Sequence, residues 1–389
     1  MIEVWKSMKI LTEKNFDDIQ TRVDNFTTPN DIGRIPSKIS SRFSGFTAEQ
    51  WRNWTILFSL PALKPILPRQ HYQCWHRFVK ACYYLCRRSI TSHDIDAADR
   101  LLMEFYTNFV SLYGRDNCNP NLHLHGHLCE CIRDYGPVYS FWLFSFERYN
   151  GVLGSYHTNN RNISIQLMRR FLDSRSYAPN NWPDEYKKDF LSVLEQFHYN
   201  KGSLVQTTFE TDKIKSVNPL PPVTENIFNL DQAAELNAII ESQYPSKGYN
   251  VVLLHDSVKA IMVNSIVLGS TNCRHSNSSL VLVETSPNTS TLCEIQFFIR
   301  CKFVSSLQSE PVHMWFAAIR TLMEHPCKVW YGNPVEVWSC VPSNPYIIFS
   351  PISSILSRVV YTKTKVDFGR VFGEDNVFVI TPLHIKSLQ

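Results

Sequence analysis

Apolar positions recur with a helical period through the first hundred or so residues. Residues 2–26 carry Ile2, Trp5, Met8, Ile10 and Leu11, then Phe16, Ile19, Val23 and Phe26. These spacings are mostly the threes and fours that one helix face requires. The first stretch begins on an apolar residue with no capping side chain before it, so it reads like the interior of a longer polypeptide. Thr47 with Gln50 three residues on forms a capping box. It opens a helix through Trp51, Trp54, Leu57 and Phe58 that Pro61 is expected to end. A third helix is predicted over about residues 69–88, with Tyr72, Trp75, Phe78, Val79, Cys82 and Leu85 on one face. A fourth follows Ser92, carries Ile95, Ala98, Leu101, Leu102, Phe105, Phe109 and Leu112, and stops at Gly114.

The pattern changes after residue 200. Residues 200–229 have little periodicity and carry Pro219, Pro221 and Pro222, which reads as a linker. A short helix is expected over 231–243. Alternation takes over from Tyr249. In residues 292–304, Cys293, Ile295, Phe297, Ile299, Cys301 and Phe303 share one face, with Glu294, Gln296, Arg300 and Lys302 among those opposite. Shorter strands are predicted at 251–254, 258–268, 280–284, 335–338, 358–364 and 377–380. The expected class is α+β: a mainly helical region over 1–199, a linker with a short helix over 200–245, and a β-rich domain over 246–389 rolled into a small barrel.

Composition narrows the function classes. Of 389 residues, 44% are apolar and 19% charged, enough apolar surface to exclude global disorder. No uncharged apolar run nears the ~18 residues of a membrane span, and the opening residues, with an acid at Glu3, do not read as a signal peptide. Eleven cysteines without a CxxC pair read as reduced intracellular thiols. The sequons at Asn25, Asn53 and Asn162 then carry no expectation of glycosylation. The net charge of +4 is spread along the chain, +3 in residues 246–389 and +1 in the rest, so nucleic-acid binding is expected from a local patch. No phosphate-cradling glycine loop and no GxSxG elbow occurs, which argues against nucleotide binding and serine-hydrolase chemistry.

The densest chemistry lies in residues 121–154. His123, His125, His127, Cys129 and Cys131 occupy alternate positions. In a helix His123, His127 and Cys131 share a face; in a strand all five do. Such a face can ligate zinc, contact DNA, or simply hold hydrogen-bonded histidines in a partly buried helix. Glu147 is surrounded in sequence by Phe141, Trp142, Phe144, Phe146 and Tyr149, which predicts a helix buried on most faces. A carboxylate there requires a cation, Arg133 or Arg148, or a metal ion. Residues 148–175 carry Arg148, Arg161, Arg169, Arg170 and Arg175 against Asp173 alone. With His157, Asn159, Asn160 and Asn162 they suit phosphate contacts or a solvated helix face. In the β region, Trp315, Trp330 and Trp338 are either an exposed interaction surface or core.

The ordered series His127-Leu128, Tyr135-Gly136-Pro137-Val138, Phe141-Trp142, Phe146-Glu147-Arg148-Tyr149-Asn150-Gly151 and Leu153 resembles the C-terminal catalytic segment of CACTA (En/Spm) transposases. Tyr156-His157-Thr158-Asn159-Asn160, Gln166-Leu167-Met168 and Phe171 are similar to the animal and fungal branch, as are Asp31–Ile39 and Phe43–Trp51. The resemblance covers roughly residues 1–175, and more weakly the β-rich end.

It implies an incomplete RNase H-like core in which Glu147 matches the glutamate of a DDE triad, the carboxylates that hold two Mg²⁺ or Mn²⁺ ions. The helical region before it matches the insertion that precedes that glutamate. In the family both aspartates, and an Asp-x-x-His motif, lie upstream of the segment resembling residues 1–50. No histidine here has an aspartate three residues before it, and Asp17, Asp18, Asp24 and Asp31 lie on or beside a predicted helix. The expectation is a transposon-derived protein, non-catalytic alone, that contacts DNA through Arg148, Arg161, Arg169 and Arg170, associates with transposase or itself, and resides in the nucleus. Two alternatives stay open. One is the tail of an active metal-dependent transposase whose aspartates come from elsewhere. The other is a protein-interaction module built on the β domain. Neither a membrane nor a nucleotide partner is expected.

Overall fold

The computed structural model describes residues 1–33, 35–39, 43–87, 89–159, 161–176, 214–219, 230–263, 266–286, 289–305, 307, 310–344, 346–369 and 372–383. They fall into two compact units. Met1–Val138 and Val205–Gln389 form one, and Tyr139–Leu204 the other.

The first unit opens with α1 (Ile2–Ser7) and α2 (Glu13–Asp24). The chain breaks between them at Lys9, whose φ of 56° no helix accepts. Thr12 then caps α2 in a reciprocal box with Asn15. Thr47 and Gln50 make the expected box at the start of α3 (Ala48–Asn53).

Pro61 does not end that helix. A π-helical turn over Trp54–Phe58 leads directly into α4 (Ser59–Leu63), which contains the proline. Pro61 has no N–H to give the Leu57 carbonyl four residues back. The buried Thr381 hydroxyl donates to that carbonyl instead, at 3.1 Å.

Next come α5 (Arg69–Leu85) and α6 (Ser92–Tyr113), the latter capped by Thr91 with Asp94 and stopped at Gly114, φ 81°. Asn119 caps α7 (Pro120–Leu124), and α8 (Leu128–Tyr135) ends on Gly136, φ 83°. No helix among the described residues is long and apolar enough to cross a membrane.

The second unit, taken by itself, contains α9 (Phe144–Ser155) and α10 (Ile163–Ser176).

Among its described residues, the rest of the first unit contains α11 (Leu230–Gln243), where the short helix was expected, and ten strands. The strands are β1 (Ile214–Pro219), β2 (Tyr249–Val263), β3 (Ile266–Gly269), β4 (Leu280–Ser286), β5 (Thr289–Ser305), β6 (Val312–Glu324), β7 (Glu336–Pro342), β8 (Ile348–Pro351), β9 (Ile355–Asp367) and β10 (Glu374–Pro382). Within the stretch read as a linker, β1 pairs antiparallel with β2; residues 200–213 and 220–229 lie outside the described residues.

All pairings are antiparallel, in the order β1-β2-β5-β4-β9-β10-β7-β6-β8, with β3 on β2 and a further β5–β6 pairing. The small barrel expected from the sequence is corrected to one large sheet. Its strands are too long to serve one neighbour on each side. β5 pairs β4 with its first part and β2 with its second, and β6 is shared in the same way by β7 and β8. The sheet therefore branches and keeps ends at β1, β3 and β8, whereas a barrel has none.

The even alternation expected along β5 is also broken. A bulge between Ile295 and Phe297 sends Cys293, Ile295 and Phe298 to one face. Ile299, Cys301 and Phe303 go to the other, under Leu236 and Ile240 of α11. The helices of the first unit share a core with β7, β9 and β10: Trp54, Phe58, Leu60 and Val79 pack with Val337, Val360, Val377 and Val379. A backbone bridge between Thr27 and Tyr361, an ion pair of Asp31 with buried Arg358, and the Tyr72 hydroxyl on the Tyr331 carbonyl (2.6 Å) tie the two parts together. Trp315 and Trp338 are core, and Trp330 is partly buried against it, so these three do not form an exposed surface. All eleven cysteines are free thiols.

Candidate functional site

Glu147 stands in the first turn of α9, where a carboxylate meets the positive end of the helix dipole. The burial expected of it is not observed. Glu147 is exposed, and Phe146 and Tyr149 on either side are 65% and 60% exposed. The aromatics before the helix stack on one another instead, Trp142 lying edge-on to Tyr139 (5.8 Å) and to Phe144 (4.8 Å). Arg133, one proposed partner, is engaged by Asp96 at 2.7 Å. The side chain of Arg148, the other, lies outside the described residues.

The turn before α10 is locked by its own polar side chains. Asn159 Oδ1 accepts from the Arg161 N–H (3.0 Å), Gln166 Oε1 accepts from the Asn159 N–H (3.2 Å), and the Gln166 amide reaches Asn159 and the Arg161 carbonyl. This fixes Arg161 next to the helix that carries Arg169 and Arg170. All three arginines are exposed and none is held in an ion pair among the described residues. Ile165, Met168 and Leu172 of the same helix are exposed as well, at 51%, 59% and 54%. Asn160 and the side chains of Asp173 and Arg175 lie outside the described residues.

The histidine–cysteine stretch is a broken helix. A 3₁₀ turn over His125–His127 interrupts it between α7 and α8. His123 and His127 are brought together on the surface, Nε2 to Nε2 at 3.4 Å, and His127 Nδ1 meets Glu130 at 3.1 Å. Cys131 does not join them in a metal-binding group. Cys129 is buried, with its thiol on the Ile95 carbonyl, and burial pushes that thiol up to about 11. His125 packs on Phe78, its ring centroid 5.1 Å away, and its buried Nδ1 has no hydrogen-bond partner among the described residues. Burial lowers its pKa. Beside it lies a cavity of about 510 Å³, walled by Trp51, Trp75, Phe78, Phe105 and Phe109 and edged by Asn121.

Among the described residues no three His, Cys, Asp or Glu side chains converge in a way that holds a metal ion. A single exposed carboxylate does not make a two-metal centre, so the described residues do not by themselves fit Mg²⁺ or Mn²⁺.

One feature of the chain carries no motif. Residues 50–93 contain seven lysines and arginines and no acid. The signal was present in the charge order, but a tally over the whole first part of the chain averages it away.

No protein-family model, curated protein or solved structure matches this chain.

Proposed function

We propose that this is a transposon-derived protein related to CACTA transposases, which binds DNA through α9 and α10 and does not cut DNA by itself. The observation that carries the reading is the trio Arg161, Arg169 and Arg170: exposed, unpaired among the described residues, and set on and beside one helix. Three such cations suit a phosphate backbone. The ordered sequence series through Glu147 supports the family, and the exposure of Glu147 suits a residue that meets a partner rather than the core. Exposed Phe146, Tyr149, Ile165 and Met168 support association with a transposase or a second copy. Nuclear residence accompanies this reading.

The test is binding to a random-sequence DNA duplex across a salt series. Replacing all three arginines by glutamine lowers the slope of log Kobs against log[salt] by about 2.7, at roughly 0.9 per lost phosphate contact. An unchanged slope defeats the reading. Nicking of a supercoiled plasmid in Mg²⁺ or Mn²⁺ that disappears in Glu147→Gln replaces the non-catalytic reading with that of an active transposase segment.

A further inference from the structure

The acid-free run of residues 50–93 folds into a defined surface. On α5, Arg69, Gln73, His76 and Lys80 follow at spacings of four, three and four, so they share one face along about 16 Å of helix. The opposite face, with Tyr72, Cys74, Trp75 and Val79, is core. Lys64 joins the stripe from the turn before α5. Its Nζ is held 4.9 Å from the Trp330 ring and 5.1 Å from the Tyr72 ring.

His76 is fixed by an Nε2–H bond to the Asn333 carbonyl at 2.9 Å, and a Cβ on Gly332 would collide with that ring. Arg77 and Arg87 have acidic partners, Glu104 and Asp94. Lys64, Arg69 and Lys80 have none among the described residues. The charges are felt locally. Burial and then Arg69 lower the pKa of Lys64. Burial lowers that of His76, with Lys80, Arg77 and Lys64 adding to it against the Asn333 bond.

We propose that this face, Lys64, Arg69 and Lys80 around Trp330 and the fixed His76, is a second DNA-binding surface whose cations grip the phosphate backbone of a duplex. It rests on the reading of the chain as a DNA binder but uses none of the α10 arginines. The chemistry favours phosphates over an acidic protein. α5 exposes no large apolar side chain among its described residues, and a protein interface normally has an apolar centre, whereas a phosphate backbone asks only for cations at successive positions.

The experiment uses the full chain and a random-sequence duplex. The variant is Arg69→Gln with Lys80→Gln, two side chains outside the core. Loss of two phosphate contacts lowers the salt slope by about 1.8, so that between 50 and 200 mM salt the wild-type affinity falls about twelve-fold further than the variant's. That result, with a further loss when the α10 arginines are also replaced, supports two separate surfaces. An unchanged slope in the Arg69/Lys80 variant, alongside a lowered slope in the α10 variant, overturns this inference and leaves the DNA-binding reading standing. A wild-type chain that ignores the duplex overturns both. Binding to polyglutamate that the Arg69/Lys80 variant loses, while duplex binding is kept, assigns the face to an acidic protein and overturns it as a DNA surface.

Discussion

Thr381→Val tests how a proline is accommodated inside a helix. The Thr381 side chain is fully buried and its hydroxyl is the donor to the Leu57 carbonyl at 3.1 Å. Pro61 leaves that carbonyl without its helical N–H. Valine keeps the shape of threonine and removes the donor, so a buried acceptor is stranded at a cost of about 1–3 kcal/mol. The added methyl recovers up to about 0.8 kcal/mol of burial. The expected net loss is about 1–2 kcal/mol, seen as a lower midpoint in urea at unchanged m-value and a drop in Tm of about 2–5 °C. The companion variant is Pro61→Ala, which supplies an N–H to the same carbonyl. In the Thr381→Val background it restores about 1 kcal/mol more than it changes in the parent, the coupling expected of two donors competing for one acceptor. A Thr381→Val loss under about 0.3 kcal/mol, or a double variant whose losses simply add, refutes the account.

Two other contacts between the helical part and the strand-rich part of the first unit give predictions of different kinds. The Arg358 charge is buried and met by Asp31, whose side chain is half exposed. Asp31→Asn leaves that charge without its partner and costs about 1–2 kcal/mol once solvent screening at Asp31 is allowed for. Burial raises the Asp31 pKa, but the hydrogen bond and charge of Arg358 outweigh it and hold the carboxyl below its usual value. This stability is therefore complete above the unfolded-state pKa of about 3.9 and fades as pH falls through the lower folded value. A parent and Asp31→Asn whose stability difference is the same at pH 7 and pH 2 would refute it. Gly332→Ala places a Cβ 2.4 Å from His76 Nε2 at a φ of 80°. It destabilises by about 1–3 kcal/mol, and adding His76→Ala removes the collision but not the backbone part, so partial rescue in a denaturant midpoint is the result to look for.

Local signals made the helical frame legible. The Thr47–Gln50 box, the fourth helix after Ser92 and its stop at Gly114 all depend on residues within four positions of one another, and the structure has each of them. β6 was not legible. Its Met, Ala, Leu and Glu residues favour helix locally, and it is buried on both faces, Phe316 toward α11 and Trp315 and Ala317 away from it, so no alternation remains to read. Its conformation is set by non-local pairing with β5 from Cys293–Thr321 to Phe303–Val312. The β5 bulge is invisible for a related reason: apolar residues continue through it, and only their faces change.

The site shows the same division between what is local and what is not. Counting aromatics around Glu147 predicts burial, but an apolar side chain is buried only where another surface meets it, and Phe146 and Tyr149 have none over most of their area. His123 and His127 meet across the 3₁₀ turn at His125–His127, and Cys131, further along in α8, makes no metal-binding group with them among the described residues. A charge sum over a long region hides where the charge sits. Summed over residues 1–245 the balance is +1, because residues 1–49 are balanced and the excess of acids after His93 cancels most of the seven cations between. A phosphate responds to charges within about one Debye length, ~8–10 Å, not to a sum over a whole region. The charges felt by Lys64 and His76 are cationic, and Glu104 and Asp94 are matched to Arg77 and Arg87. A modest net charge is therefore compatible with two local groups of cations, one along α5 and one on and beside α10, and the salt slopes of their separate variants measure each on its own.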